Sequence, residues 1–345
     1  MGKLPRGKLR PDLLKRYIFN RLGIKDPKVL TGPAIGEDAA IIDLGEEVLV
    51  AHLDPITEAV SLIGWLAVNV VCNDIAVRGA KPRWLLQALY LPEGSDESLL
   101  NSITKQVDEA AKELNVSVVG GHSEVTPGLS RPFMAMVAIG TAPKGRYVTT
   151  RGAKPGDLVI LTKGVGIEGT AILATDFERE LLDKGVPMAV IERGKGYFKK
   201  VSVVREALSL AERGLANSMH DPTEGGVLGG VAELAYASGT TIVIYRDKLP
   251  ISEETSSICR ALGLDPLKLM SSGSLLATIP PPKVDEALEE LRKLGVRATV
   301  IGEVTEAKGS LVEVRGRGCL KVFDVYVEDE LVKLWARNRY KGSKG

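Results

Sequence analysis

The sequence predicts a two-domain protein of the mixed α/β class. Its 345 residues exceed one small module and fit two domains of ordinary size. Helix-period and strand-period segments alternate along the whole chain. A turn-rich stretch at 144–157, KGRYVTTRGAKPGD, separates two halves of similar content and puts the boundary near Arg151, giving domains 1–150 and 151–345.

Pro11 opens an amphipathic pattern (Leu13, Leu14, Tyr17, Ile18, Leu22) that Gly23 stops, which predicts a first helix lying on the surface. AAIID and EVLVAHL read as two strands of a hairpin turned at Gly45. A helix over 61–78, a strand at 84–91, a helix over 95–114 and strands at 116–119 and 133–141 complete the first half. The second half opens with the buried-looking strand LVILT. Helices follow around 168–213, then a polar loop at 217–226 and a helix running to Ser238. A strand at 240–245, a helix near 254–262, a strand at 274–279, a helix at 283–294 and closing strands from Ala298 to Val325 finish the fold. The final RNRYKGSKG reads as a solvated basic tail.

Composition narrows the function. Hydrophobic residues at 44% and charged residues at 26% are globular averages, which excludes a disordered or fibrous chain. Forty-five basic against forty-four acidic residues leave a net charge of +1, so no broad field attracts nucleic acid or an anionic membrane. Apolar runs such as Val48 to Leu53 fall short of the roughly 20 residues of a membrane span, and the N-terminus lacks the apolar core of a secretory signal, which predicts a cytoplasmic protein. Cys72, Cys259 and Cys319 are too scattered for a disulfide framework or a metal site and read as buried small hydrophobes. Glutamine occurs only at Gln87 and Gln106 amid many Lys, Glu and Arg, a bias that points to a thermophile.

The chemistry centres on acids. In GWLAVNVVCNDIAVRGA the pair Asn73-Asp74 sits inside an apolar helix, so Asp74 must face a basic side chain such as Arg78 or a metal ion. Asp38 after a glycine loop, Asp54 at a strand end and Asp221 in HDPTEGG are further acids at edges and turns. Oxygen ligands without His or Cys clusters suit Mg²⁺, which reaches proteins through a few carboxylates plus substrate phosphates. Two glycine-rich loops, VVGGHSEVTPG at 118–128 and HDPTEGGVLGG at 220–230, are expected to offer backbone amides to an anion, the second through a helix beginning after Gly226. His52 reads as a satisfied core residue, whereas His122 and His220 beside the glycines read as phosphate-binding or acid–base groups. GVGIEGTA lacks the Lys-Ser or Lys-Thr of a P-loop.

Six landmarks, GEDAA (36–40), the strand-end Asp54, NDIAVRGAKP (73–82), GGHSEVTPG (120–128), HDPTEGGV (220–227) and SSGSLLATIP (271–280), together resemble the PurM-like superfamily over about Ile35 to Val304. That superfamily holds aminoimidazole ribonucleotide synthase, selenophosphate synthetase, thiamine monophosphate kinase and HypE, and this pattern is nearest to HypE-like proteins. The resemblance implies a two-domain fold whose N-terminal strands pool into a barrel in a homodimer, with a C-terminal mixed sheet covered by helices. It implies ATP and Mg²⁺ in the cleft, with Asp38, Asp54, Asp74 and Asp221 as metal acids, Gly36, Asn73, Gly120, Gly121, Thr223, Gly225 and Gly226 against the cofactor, and His122 and His220 as catalytic candidates. The implied reaction phosphorylates an oxygen of a small-molecule or protein-borne acceptor. The alternative is a catalytically idle nucleotide-binding scaffold for maturation or biosynthetic partners. HypE ends in a Pro-Arg-Ile-Cys tail that carries its substrate, while this chain ends in Lys344-Gly345, and no cysteine of its own is expected to carry a carbamoyl group. Lys3, Lys8 and Lys163 are the lysines considered for phosphate contact.

Overall fold

The computed structural model describes Leu4 and residues 7–57, 59–316 and 318–335. The proposed basic tail and Lys3 lie outside these residues. A short turn, α1 (Pro11–Leu13), continues as a π-helical turn over Leu14–Ile18, and Tyr17 and Ile18 stay exposed.

The first sheet takes β1 (Val29–Thr31), β2 (Ala40–Asp43), β3 (Glu47–Ile56), β4 (Lys81–Pro92), β5 (Ser117–Thr126) and β6 (Phe133–Pro143) in the order β1-β2-β3-β6-β4-β5. Only β4 and β5 run parallel. Strict alternation along β6 buries Met134, Met136 and Ala138 under α2 (Ile63–Ala76), which α3 (Glu97–Leu114) covers in turn. The Asp96 side chain caps α3 by accepting from the Leu99 amide at 2.9 Å. VVGGHSEV is not a loop: it is the body of β5, an edge strand exposed along nearly its whole length.

The second sheet orders β7 (Leu158–Thr162), β8 (Ser218–His220), β9 (Thr241–Tyr245), β10 (Leu276–Ile279), β11 (Ala298–Thr305), β12 (Val312–Arg315) and β13 (Cys319–Val322) as β13-β12-β9-β11-β7-β10-β8. β8 falls within the stretch expected to be a loop, where three residues pair with β10. The helices of this half are α4 (Ile167–Asp176), α5 (Glu178–Asp183), α6 (Met188–Lys195), α7 (Val204–Glu212), α8 (Gly226–Ser238), α9 (Glu253–Leu262) and α10 (Val284–Lys293). The period of two along β7 divides them: Val159 and Leu161 pack in a core with α8, while Ile160 joins the core that holds α4, α6, α7 and α9. This second core runs on without a break into the residues beneath the first sheet, so α2 belongs to both halves. No described helix is long and apolar enough to cross a membrane. Cys72 and Cys259 are buried as expected, but Cys319 is exposed because the outermost strand β13 carries it.

Candidate functional site

A cavity of about 560 Å³ opens where the loop before β2, the end of β3, α2, the first turn of α4 and the start of α8 converge. α2 brings Asp74 to it from beneath the first sheet, and β8 delivers His220 and Asp221 from the second. Asp38, Asp74 and Asp221 are buried, and each offers a carboxylate oxygen within 4.8 Å of the others. Neither oxygen of Asp221 nor Oδ2 of Asp74 has a hydrogen-bond partner. Burial and then the neighbouring carboxylates push Asp74 well above the usual range, and they raise Asp221 and Asp54 to about 7. Orphaned, mutually repelling oxygens in a buried cluster are a donor set for a hard divalent cation, so these residues fit Mg²⁺.

Arg78 does not satisfy Asp74. Fully buried, it donates to Glu37 at 2.9 Å, to Asp38 at 2.9 Å and to the Met219 carbonyl. Asp38 is then tied to His220 Nδ1 at 2.7 Å, His220 Nε2 to Glu233 at 2.9 Å, and Glu233 to Lys8 at 2.7 Å. Burial opposes charge on His220, yet Asp38 and Glu233 outweigh it and raise the imidazole to about 10. His220 is therefore a buried imidazolium with both nitrogens engaged. That suits it to fixing Asp38.

The structure brings Gly36, Asp38, Asp54, Asp74, His220, Asp221 and Thr223 together on the cavity wall. Other candidates lie elsewhere. The Asn73 side chain donates to the Val201 carbonyl at 2.9 Å and accepts from the Val203 amide at 2.8 Å, clamping α2 to the segment before α7 rather than facing a cofactor. Gly120, Gly121 and His122 stand on β5, with His122 exposed and bonded to Glu124 at 3.0 Å. Gly225 and Gly226 do start α8, but their amides are taken by Asp329 at 2.9 Å and by the Thr223 carbonyl at 3.0 Å, so they are not free for an anion. Both glycines have positive φ, and a Cβ on Gly226 would lie 2.6 Å from the Leu269 carbonyl oxygen.

Two residues were missed. His52 is on the cavity wall, with Nε2 3.6 Å from Asp74 Oδ2, and burial drops it to about 4, leaving it neutral. Its spacing of two from Asp54 on β3 was the available signal. Glu168, in the first turn of α4, also lines the cavity, where burial raises it to about 8. It sits inside GVGIEGTA, a stretch without the Lys-Ser or Lys-Thr of a P-loop. Lys8 reaches the cavity, whereas Lys163 bonds to Glu206 at 2.8 Å beside a different one.

Two family models match: the AIR synthase related protein N-terminal domain over residues 36–142 and the C-terminal domain over 154–315. A putative hydrogenase expression/formation protein of Methanocaldococcus jannaschii is 32% identical over 342 residues, covering 95% of this chain and 97% of its own. This chain belongs to the AIR synthase related family. The carbamoyl dehydratase HypE of Rhodobacter capsulatus is 29% identical over 95% of both chains. Among solved structures, a HypE–HypF complex superposes with a TM-score of 0.73 at 28% identity, covering 90% of this chain and 97% of that one. E. coli HypE gives 0.69 at 26%, covering 81% and 86%. The fold of this chain is the PurM-like one, which it shares with these HypE structures.

Proposed function

We propose that this chain is an ATP- and Mg²⁺-dependent enzyme that phosphorylates an oxygen of a small-molecule or protein-borne acceptor. The observation that carries the reading is the triad Asp38, Asp74 and Asp221 with its unpartnered buried oxygens. Relatives named carbamoyl dehydratase HypE and a HypE structure in complex with ATP support it. Bound Mg²⁺ would neutralise phosphate charge and align the nucleotide for in-line transfer. The chain's own residues supply the rest. Arg78 and the imidazolium of His220 hold Asp38 ionised and oriented, and burial excludes water. His122 and the β5 glycines have no part in this cavity.

The working form is proposed to be a homodimer built on residues 1–150. Leu53, Leu86, Val118, Val119 and Val125 are exposed on the first sheet, an apolar display that favours cover by a second copy. Incubating the purified protein with ATP, Mg²⁺ and a panel of amide, carbamoyl and ribonucleotide acceptors tests the function. Acceptor-dependent ADP release is expected, and nucleotide binding with no turnover on any acceptor would favour the idle scaffold.

A further inference from the structure

Among the described residues a second cavity, about 710 Å³, lies beside the first turn of α4, where Ile167 lines it and the next residue, Glu168, lines the acid site. Its charge is opposite in sign. Lys163, Lys199, Lys200, Arg205 and Arg297 face the two acids Glu113 and Glu206, and Lys163 already holds Glu206 at 2.8 Å. Lys199, Lys200, Arg205 and Arg297 form no ion pair among the described residues. Lys199 and Lys200 lie instead over the rings of Phe198 and Tyr197, at 5.8 and 3.8 Å from the ring centres.

Three helices also begin at this wall: α4 with Ile167, α7 with Val204 and α9 with its cap Ser252. The positive ends of their dipoles meet this space, although Glu168, Glu206 and Glu253 in their first turns offset part of that field. Val165, Tyr197, Ile251 and Val296 add apolar and aromatic surface beside Ser202 and Ser252. Cationic heads around an apolar body match a ligand that is polyanionic at one end and flat or apolar at the other. The volume suits one small molecule, and a net charge of +1 over the chain argues against a polymeric nucleic acid.

We propose that this cavity binds a small phosphorylated molecule of nucleotide size, and does so without a divalent cation. The acid-lined site requires a cation before it can hold a polyphosphate, so chelation separates the two.

Calorimetry on the whole chain in EDTA at low ionic strength, with ADP and with pyrophosphate as probes, tests this. ADP should bind once per chain, at least as tightly as pyrophosphate. The double variant Arg205→Glu/Arg297→Glu should weaken it by roughly tenfold or more. Both arginines are exposed, and a thermal melt confirms folding of the double variant. Lys199→Ala/Lys200→Ala gives a second, milder test in the same direction. No metal-free ADP binding, pyrophosphate binding with ADP excluded, or ADP binding that survives the charge reversal would overturn the proposal.

Discussion

The two glycine-rich segments, 118–128 and 220–230, look alike in sequence and end in opposite environments. One is an exposed edge strand and the other a buried strand end and helix start beside the acid cluster. In both, the glycines answer to backbone crowding. A Cβ on Gly121 would stand 2.1 Å from the Gln87 carbonyl oxygen of β4, and one on Gly226 would stand 2.6 Å from that of Leu269. A Gly-Gly pair therefore reports close approach, and the residues packed around it decide whether the approach serves a site.

The sharpest way to break this comparison is to substitute both. Gly226→Ala strains a positive φ and drives into backbone that the core holds fixed, so a loss of about 3 kcal/mol or more in urea unfolding is expected. Gly121→Ala meets a nearer atom, but an edge strand can peel away, so the core should stay folded while β5 amides lose hydrogen-exchange protection. Equal damage from the two would erase the distinction.

Arg78→Ala tests the ion-pair chain behind the second segment. It takes the buried guanidinium away from Glu37 and Asp38, which among the described residues keep only Arg151 and His220 as charged partners, and should cost about 3 kcal/mol, read from the same unfolding curves. Next in size is the pH response of Glu168, whose carboxyl rises to about 8 in the folded protein. Between its ordinary value and 8 the native state keeps a proton that the unfolded chain has lost. Its stabilising contribution is therefore full in acid and declines as pH rises across that window, by up to about 1.4 kcal/mol per pH unit. Glu168→Gln should flatten that slope, and an unchanged slope would show the carboxyl to be ordinary. His122→Ala is the smallest expected change, within about 0.5 kcal/mol, with Mg²⁺-ATP affinity unaltered.

The helices and most strands were legible because their apolar residues keep one period and their ends carry caps and turns, as with Asp96 before α3 and Gly45 in the first hairpin. β5 was cut short because GGHSE replaces alternating side chains with turn formers, and its pairing to β4 is a tertiary fact. β8 is too short to show a period. In the site, Asp74 announced itself as a charge within an apolar helix. His52 and Glu168 did not: a half-buried histidine on a strand and a glutamate in a first turn are ordinary until the fold sets them against the same cavity. Lys8 reaches Glu233 across 225 residues of sequence, a pairing no local pattern encodes.

The central claim is that Asp38, Asp74 and Asp221 bind nucleotide through Mg²⁺, and calorimetric titration of ATP into wild type and Asp221→Asn at equal Mg²⁺ tests it most directly. The substitution keeps shape and removes one repelling charge, so the metal-free protein should melt no lower than wild type while Mg²⁺-dependent ATP affinity falls by roughly tenfold or more. An Asp221→Asn protein that folds and binds ATP with undiminished affinity at the same Mg²⁺ concentration would contradict the account.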